Sequence, residues 1–382
     1  MVAHIVQSLP LHPSNAPPLA GFFQELRSTE LPTLKNQWEK LSGDAPSSHL
    51  FDLPDWALPI LRSQGAPSSL SAIVARQGQE VIGVLPVTAH RTFLGVLPAR
   101  TVRGLTPRTE LICHLHHREL AARATWECLQ GNQSWHVLQL PDVPLHGSAE
   151  VLVAHARHAG YRVETIPAPS VPYVQLGNET PSTMPTNSRV YRAGLETKLR
   201  KVAQLGELHL TSHQTIEESL ARFLRLPSAP SRPLFNPRWL SSRGDLLAHR
   251  DIGLWAERCG ALRIFSLELN GTPLSMLYGI LWRDTFYALR IAHDPRFSMY
   301  STGQLVVMLT LRELARHGVK RCELVGPPQP WKMVWTSTTH QHRSHFIFRP
   351  TRSGRTPLAS VVRALVHAET LWRTTRRSCA TP

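Results

Sequence analysis

Apolar positions along the chain change period about every ten residues, and the changes predict an alternation of helices and strands. Residues 31–41 and 50–62 read as short helices, the second carrying Phe51, Trp56 and Leu61 with Pro54 near its start. Residues 71–75 and 80–89 read as a hairpin around Gln77-Gly78. Strand patterns follow at 93–102 and 110–113, a helix at 119–129, and a strand at 135–140. A helix at 148–158 closes at Gly160 and leads into a strand at 161–166. Residues 166–188 hold Pro167, Pro169, Pro172, Pro181 and Pro185 and predict an irregular linker.

Past that linker a basic helix is expected over 189–205, with Arg189, Arg192, Lys198, Arg200 and Lys201. Pro227, Pro230, Pro233 and Pro237 mark a second irregular stretch, and 239–259 reads as helical. The most legible part follows. Strand patterns at 262–269, 273–282 and 285–292 are joined by Asn270-Gly271 and Arg283-Asp284, which predicts an antiparallel meander. Ser301 is placed to cap a helix over 302–317, and Gly318 to end it. Strands at 321–325 and 345–348 and a basic helix at 358–376 complete the pattern.

The order of hairpin, helix, glycine and strand occurs twice. The segments ending Ala156-Arg157-His158-Ala159-Gly160 and Ala315-Arg316-His317-Gly318 are its most similar stretches. Two related lobes are therefore expected. The fold class is α/β (α+β), in tandem lobes that are each a mixed, largely antiparallel sheet flanked by helices. The divisions are 1–30 as an irregular arm, 31–177 and 178–350 as the lobes, and 351–382 as a closing helix and basic tail.

Charge adds one feature: 42 Lys and Arg against 27 acidic residues give +15, which favours an anionic partner or a solvated basic face. Five scattered cysteines without a CxxC pair argue against a disulfide framework or a zinc site and for a reducing, cytoplasmic location. No run is long and apolar enough for a transmembrane segment, and residues 1–18 lack a signal-peptide pattern.

Three segments could carry chemistry. Ser301, Thr302, Gly303 and Gln304 open a helix, where free N–H groups and the helix dipole favour an anion and a glycine lets it approach. His293 and Asp294 stand between the last meander strand and that helix, a histidine to take a proton and a carboxylate to orient it. Lys332 lies in a proline-stiffened loop with Trp331 and Trp335 and could stabilise an oxyanion. His114, His116 and His117, and His340, His342 and His345, lack metal-ligand spacing and read as solvated loop histidines.

The chain resembles the CelD-like acetyltransferase family, a cellulose- and exopolysaccharide-associated branch of the GNAT superfamily related to the Fem-type aminoacyl transferases. The resemblance spans roughly residues 35–350. It is carried by Phe51 with Trp56, Gly83-Val84-Leu85-Pro86-Val87, 135–140, the basic helix 195–205, Asn270-Gly271, Asp294-Pro295, Ser301-Thr302-Gly303, and Lys332 with Trp335. The chain departs from that pattern at Thr302, where the family has Pro, and at Trp331, where it has Tyr.

The resemblance implies a double GNAT fold. Ser301, Thr302, Gly303 and Gln304 would hold acetyl-CoA or another acyl-CoA in the second lobe, and Lys332 would lie near the cleft. The expected activity is transfer of an acyl group to an amine on a small molecule, sugar or envelope precursor, without a metal. The pantetheine arm would lie between strands 285–292 and 321–325. One alternative is a Fem-like aminoacyl transferase using charged tRNA, which makes nucleic acid the less favoured partner. Another is an inactive GNAT-fold binding subunit.

Overall fold

The meander expected after residue 261 forms in the computed structural model as β9 (Leu262–Leu269), β10 (Thr272–Trp282) and β11 (Thr285–His293). Asn270 and Gly271 both take positive φ, 49° and 75°, the geometry of a primed two-residue turn. The structure describes residues 18–25, 31–44, 49–64, 70–94, 97–105, 107–177, 188–226 and 243–350. The helix expected at 358–376, the irregular stretch marked by Pro227 to Pro237 and the first residues of the helix expected at 239–259 lie outside them.

The first half runs β1 (Leu19–Glu25), α1 (Leu31–Asp44), α2 (Pro54–Gln64), β2 (Leu70–Gln77), β3 (Glu80–Leu94), β4 (Leu97–Gly104), the two-residue β5 (Ile112–Cys113), α3 (Arg118–Gly131), β6 (Val137–Pro144), α4 (Ser148–His158) and β7 (Arg162–Gln175). The second runs α5 (Ser188–Ala203), β8 (Leu208–His213), α6 (Ile216–Arg225), α7 (Arg243–Arg258), β9, β10, β11, α8 (Thr302–Arg316), β12 (Arg321–Glu323), α9 (Pro330–Met333) and β13 (Thr339–Phe348). Leaving out β5 and α5, the two orders are identical. The strands join in one sheet, β1-β2-β3-β4-β6-β13-β7-β12-β11-β10-β9-β8, with β5 beside β3. The fold is thus mixed α/β, a largely antiparallel sheet flanked by helices.

The repeat differs from the expected match in its details. Gly160 ends α4 and Gly318 ends α8, but α8 corresponds in order to α3, and α4 to α9. The clearer echo is in the register. Thr101 of β4 faces Val137 of β6, and Thr285 of β11 faces Arg321 of β12, both in parallel and both 36 residues apart (101 to 137, 285 to 321). The halves also exchange strands. β13 from the end of the chain lies between β6 and β7, and the last residues of β7 pair with β12.

Other expectations need correcting. Leu19–Glu25, inside the stretch expected to be irregular, is β1, because β2 offers it a free edge. Gly21 lets it lie close on α3: a Cβ there would stand 2.2 Å from the Ala124 carbonyl oxygen. Residues 93–102 are not one strand, since Leu94 pairs back onto Leu97 between β3 and β4. Residues 166–175, expected to open a proline-rich linker, are strand instead, because β7 continues to Gln175. Over Arg162–Val171 β7 bonds only to β13, so a proline nitrogen can face the open side, and Pro169 lies where β7 bulges against β13. The unexpected α6 buries Ile216, Ser219, Leu220 and Phe223, one helical face.

The two faces of the second half's sheet have different cores. Phe286, Cys322 and Leu324 pack with Leu305, Val306 and Met308 of α8. On the other face Tyr287, Tyr278 and Ile264 join α2, α6 and α7 of both halves in one cluster with Trp38 and Trp56.

Candidate functional site

β11 and β12 are paired at only three positions, Thr285–Arg321, Phe286–Cys322 and Tyr287–Glu323. Beyond them β11 runs on to His293 while β12 stops, so a split opens between neighbouring parallel strands. From Tyr287 to His293 the open flank is about 20 Å long at strand rise. The far end of the split is the start of α8.

At that start Ser301 is left-handed, φ 55°, and its side chain makes no cap bond. The expected capping role is corrected: αL geometry turns the hydroxyl outward, where it accepts from Lys198 Nζ of α5 at 2.7 Å. The Ser301 carbonyl takes the N–H groups of Gln304 and Leu305, which leaves those of Thr302 and Gly303 at the helix end. Gly303 stands beside His293; a Cβ built on it would lie 3.5 Å from His293 Nδ1. Thr302 is buried, and its carbonyl accepts from Ser275 Oγ at 2.9 Å. Gln304 Oε1 accepts from Trp335 Nε1 at 3.0 Å, tying the helix start to the loop after β12. An ammonium, a short run of free amides and a glycine therefore converge at the open end of the split, an arrangement suited to a phosphate-bearing ligand.

His293 and Asp294 do not form a pair. Asp294 caps the 3₁₀ turn Pro295–Tyr300 by accepting from Arg296 N at 2.9 Å, and its carboxylate bonds the Arg296 guanidinium at 2.6 Å. Those Arg296 bonds hold the Asp294 carboxyl below the usual carboxylate range.

Lys332 is 5 % exposed and turned onto its own loop, Nζ donating to Val325 O at 2.8 Å and Pro327 O at 3.2 Å. Burial pushes its ammonium down to about 8. Trp331 lies beside it, ring centroid 5.4 Å from Nζ, and Trp335 is fully buried against Tyr191.

A second cluster at the closed end of the split was not foreseen. Tyr287, Glu323 and Tyr173 stand side by side on β11, β12 and β7. His340 Nε2 lies 2.9 Å from Glu323 Oε1, and its ring stacks on Tyr173. The first half covers this cluster, with Leu50 N donating to Tyr287 Oη at 3.3 Å and Arg108 bonding Asp52 and Glu110. Of the six histidines read as solvated, His342 and His345 are buried in β13. The missed signal is alternation: Glu323 sits between Cys322 and Leu324, both apolar and both on the opposite face. Among the described residues no group of His, Cys, Asp or Glu has the geometry to hold a metal, and no helix is long and apolar enough to cross a membrane.

Residues 189–333 match a family model described as an acetyltransferase (GNAT) domain. That stretch holds the split, the α8 start and Lys332. No curated protein sequence matches the chain. Among solved structures, FemX is similar with a TM-score of 0.51 and 11% identity over 82% of this chain and 95% of that one. L-PGS from Bacillus licheniformis is similar with a TM-score of 0.51 and 9% identity over 86% and 94%. A tandem GNAT protein from the clavulanic acid biosynthesis pathway follows with 0.44 and 12% over 87% and 100%. At such identities the first two likenesses are of fold alone.

Proposed function

We propose that the chain is an N-acyltransferase whose second lobe, residues 178–350, takes the acyl group from an acyl-CoA, in the first instance acetyl-CoA. The observation that carries this reading is the split past Tyr287 and Glu323, with Lys198, Ser301 and Gly303 at its open end. The pyrophosphate of coenzyme A would meet the first-turn amides of α8 and the Lys198 ammonium. The pantetheine arm would lie along the free flank of β11 and bring the thioester to the closed end. An amine on a small molecule, sugar or envelope precursor would attack there. Positioning of the reactants alone can supply about 7–11 kcal/mol.

Two substitutions test the donor site. Gly303→Leu puts a branched side chain at the helix end beside His293, within a backbone that accepts a Cβ at ordinary contact distance. It should abolish acetyl-CoA binding and leave the melting temperature within about 2 °C. Lys198→Ala should weaken binding about fivefold or more, and less so at high salt. Unchanged affinity in both variants would remove α8 from the donor site.

A second reading, aminoacyl transfer from a charged tRNA, is favoured by the net charge of +15 and by Arg192, Lys198, Arg200 and Lys201 on α5. It requires RNA affinity that falls steeply with salt. RNA binding with no dependence on salt would exclude it.

A further inference from the structure

Glu323 ends β12 and is flanked in register by Tyr287 of β11 and Tyr173 of β7. Its carboxylate is 3 % exposed, and Oε1 takes the Nε2–H of His340 at 2.9 Å. The His340 ring stacks on Tyr173, centroids 4.3 Å apart at 19°, which fixes its plane. Unlike the carboxylate, the imidazole is reachable, its side chain 36 % exposed. With Nε2 committed to the carboxylate, Nδ1 is the basic nitrogen. The charged and titratable groups around it are Glu323 and Arg321 on β12, Tyr173 on β7, His342 on β13, Tyr287 on β11, and His49, Asp52 and Arg108 from the first half.

We infer that His340, held by Glu323 and Tyr173 at the closed end of the split, is the group that takes the proton from the acceptor amine. This rests on the acyl-CoA reading above. The amine nitrogen forms a bond to the thioester carbonyl carbon, and its N–H proton passes to His340 Nδ1. Collapse of the tetrahedral adduct breaks the C–S bond, and the departing thiolate takes a proton back from the imidazolium. The products are an amide and a free thiol, with no oxidant or reductant. Glu323 is a positioning residue: it selects the tautomer and stabilises the imidazolium.

The test uses the full chain and two probes, diethyl pyrocarbonate mapped by peptide mass spectrometry and acetyl-CoA. His340 should react in the free chain, and saturating acetyl-CoA should slow its reaction at least fivefold. Slow thiol release from bound acetyl-CoA to water should rise with pH. His340→Gln should remove that limb and lower the rate at least tenfold at pH 8. Glu323→Gln should keep the limb but move it to lower pH, since the imidazolium loses its anionic partner. If acetyl-CoA binds by calorimetry but leaves His340 equally reactive, or if His340→Gln leaves the pH profile intact, this inference falls and the acyl-CoA reading stands. If acetyl-CoA does not bind at all, both fall.

Discussion

Arg108→Met is expected to lower the stability of the chain by about 3–5 kcal/mol, read as a shift in the urea midpoint. Arg108 is 16 % exposed and bonds two carboxylates, Asp52 Oδ1 at 3.3 Å and Glu110 Oε2 at 3.3 Å. Both acids are buried, and burial lifts both carboxyls, that of Glu110 to about 7. Removing the guanidinium leaves both carboxyls in a dry site without their shared cation, so each must take up a proton or carry an uncompensated charge. The neutral combination Arg108→Met, Asp52→Asn and Glu110→Gln should recover at least half of the loss. A Gln Oε1 can still accept the Ala149 and Leu111 amides that Glu110 now holds. The wild type should also show the sign of the Glu110 shift. Its folded carboxyl keeps a proton that the unfolded chain releases above 4.5, so this group's contribution falls as pH rises from 4.5 to 7, by about 3 kcal/mol. An Arg108→Met variant as stable as the wild type would show that the triad does not stabilise the first half.

Lys332→Met should lower acyl transfer about tenfold or more and change how stability depends on pH. Burial disfavours the charge and brings the folded ammonium down to about 8, whereas the unfolded one keeps the ordinary value near 10.5. Between those values the unfolded chain binds more protons, so the Lys332 contribution to stability rises with pH through that window, by about 3 kcal/mol. The cost is fully present below pH 8. The difference in stability between wild type and Lys332→Met should therefore change over pH 8 to 10.5 and be flat below it. The variant also leaves the part-buried Val325 O and Pro327 O without their donor, at a cost of up to about 1–3 kcal/mol each. A sequence reading of Lys332 as a catalytic cation predicts no loss of stability, and the two bonds are why a loss is expected. Wild-type turnover in a destabilised variant would make Lys332 a purely structural anchor of the loop.

Local signals explain which parts of this fold could be read from the chain. Asn270-Gly271, Gly318 and the all-round apolar run 305–309 each act within a few residues, and the meander and α8 formed where they pointed. Long-range pairing is different. Nothing local says that β13 inserts between β6 and β7, or that β7 carries Pro167 and Pro169 through a strand with one open side. The same limit governed the site. Gly303 and Gln304 could be placed because they open a helix. His340 and Glu323 are 17 residues apart on two strands, and only the exchange of strands between the halves brings them together. Lys198 reaches Ser301 from 103 residues away, so nothing local in its basic helix ties it to the start of α8. Ser301 was placed at the right position for the wrong reason, because its left-handed backbone turns the hydroxyl away from the helix it precedes.

Hydrogen exchange of the full chain, with and without saturating acetyl-CoA, tests the central claim most directly. The account predicts slowed exchange at the amides of residues 288–293 along the free flank of β11 and at residues 302–304 of α8. The corresponding segments of the first half, residues 104–105 and 118–120, should exchange unchanged. Protection confined to the first half, or the same exchange at 288–293 with and without acetyl-CoA, would contradict it.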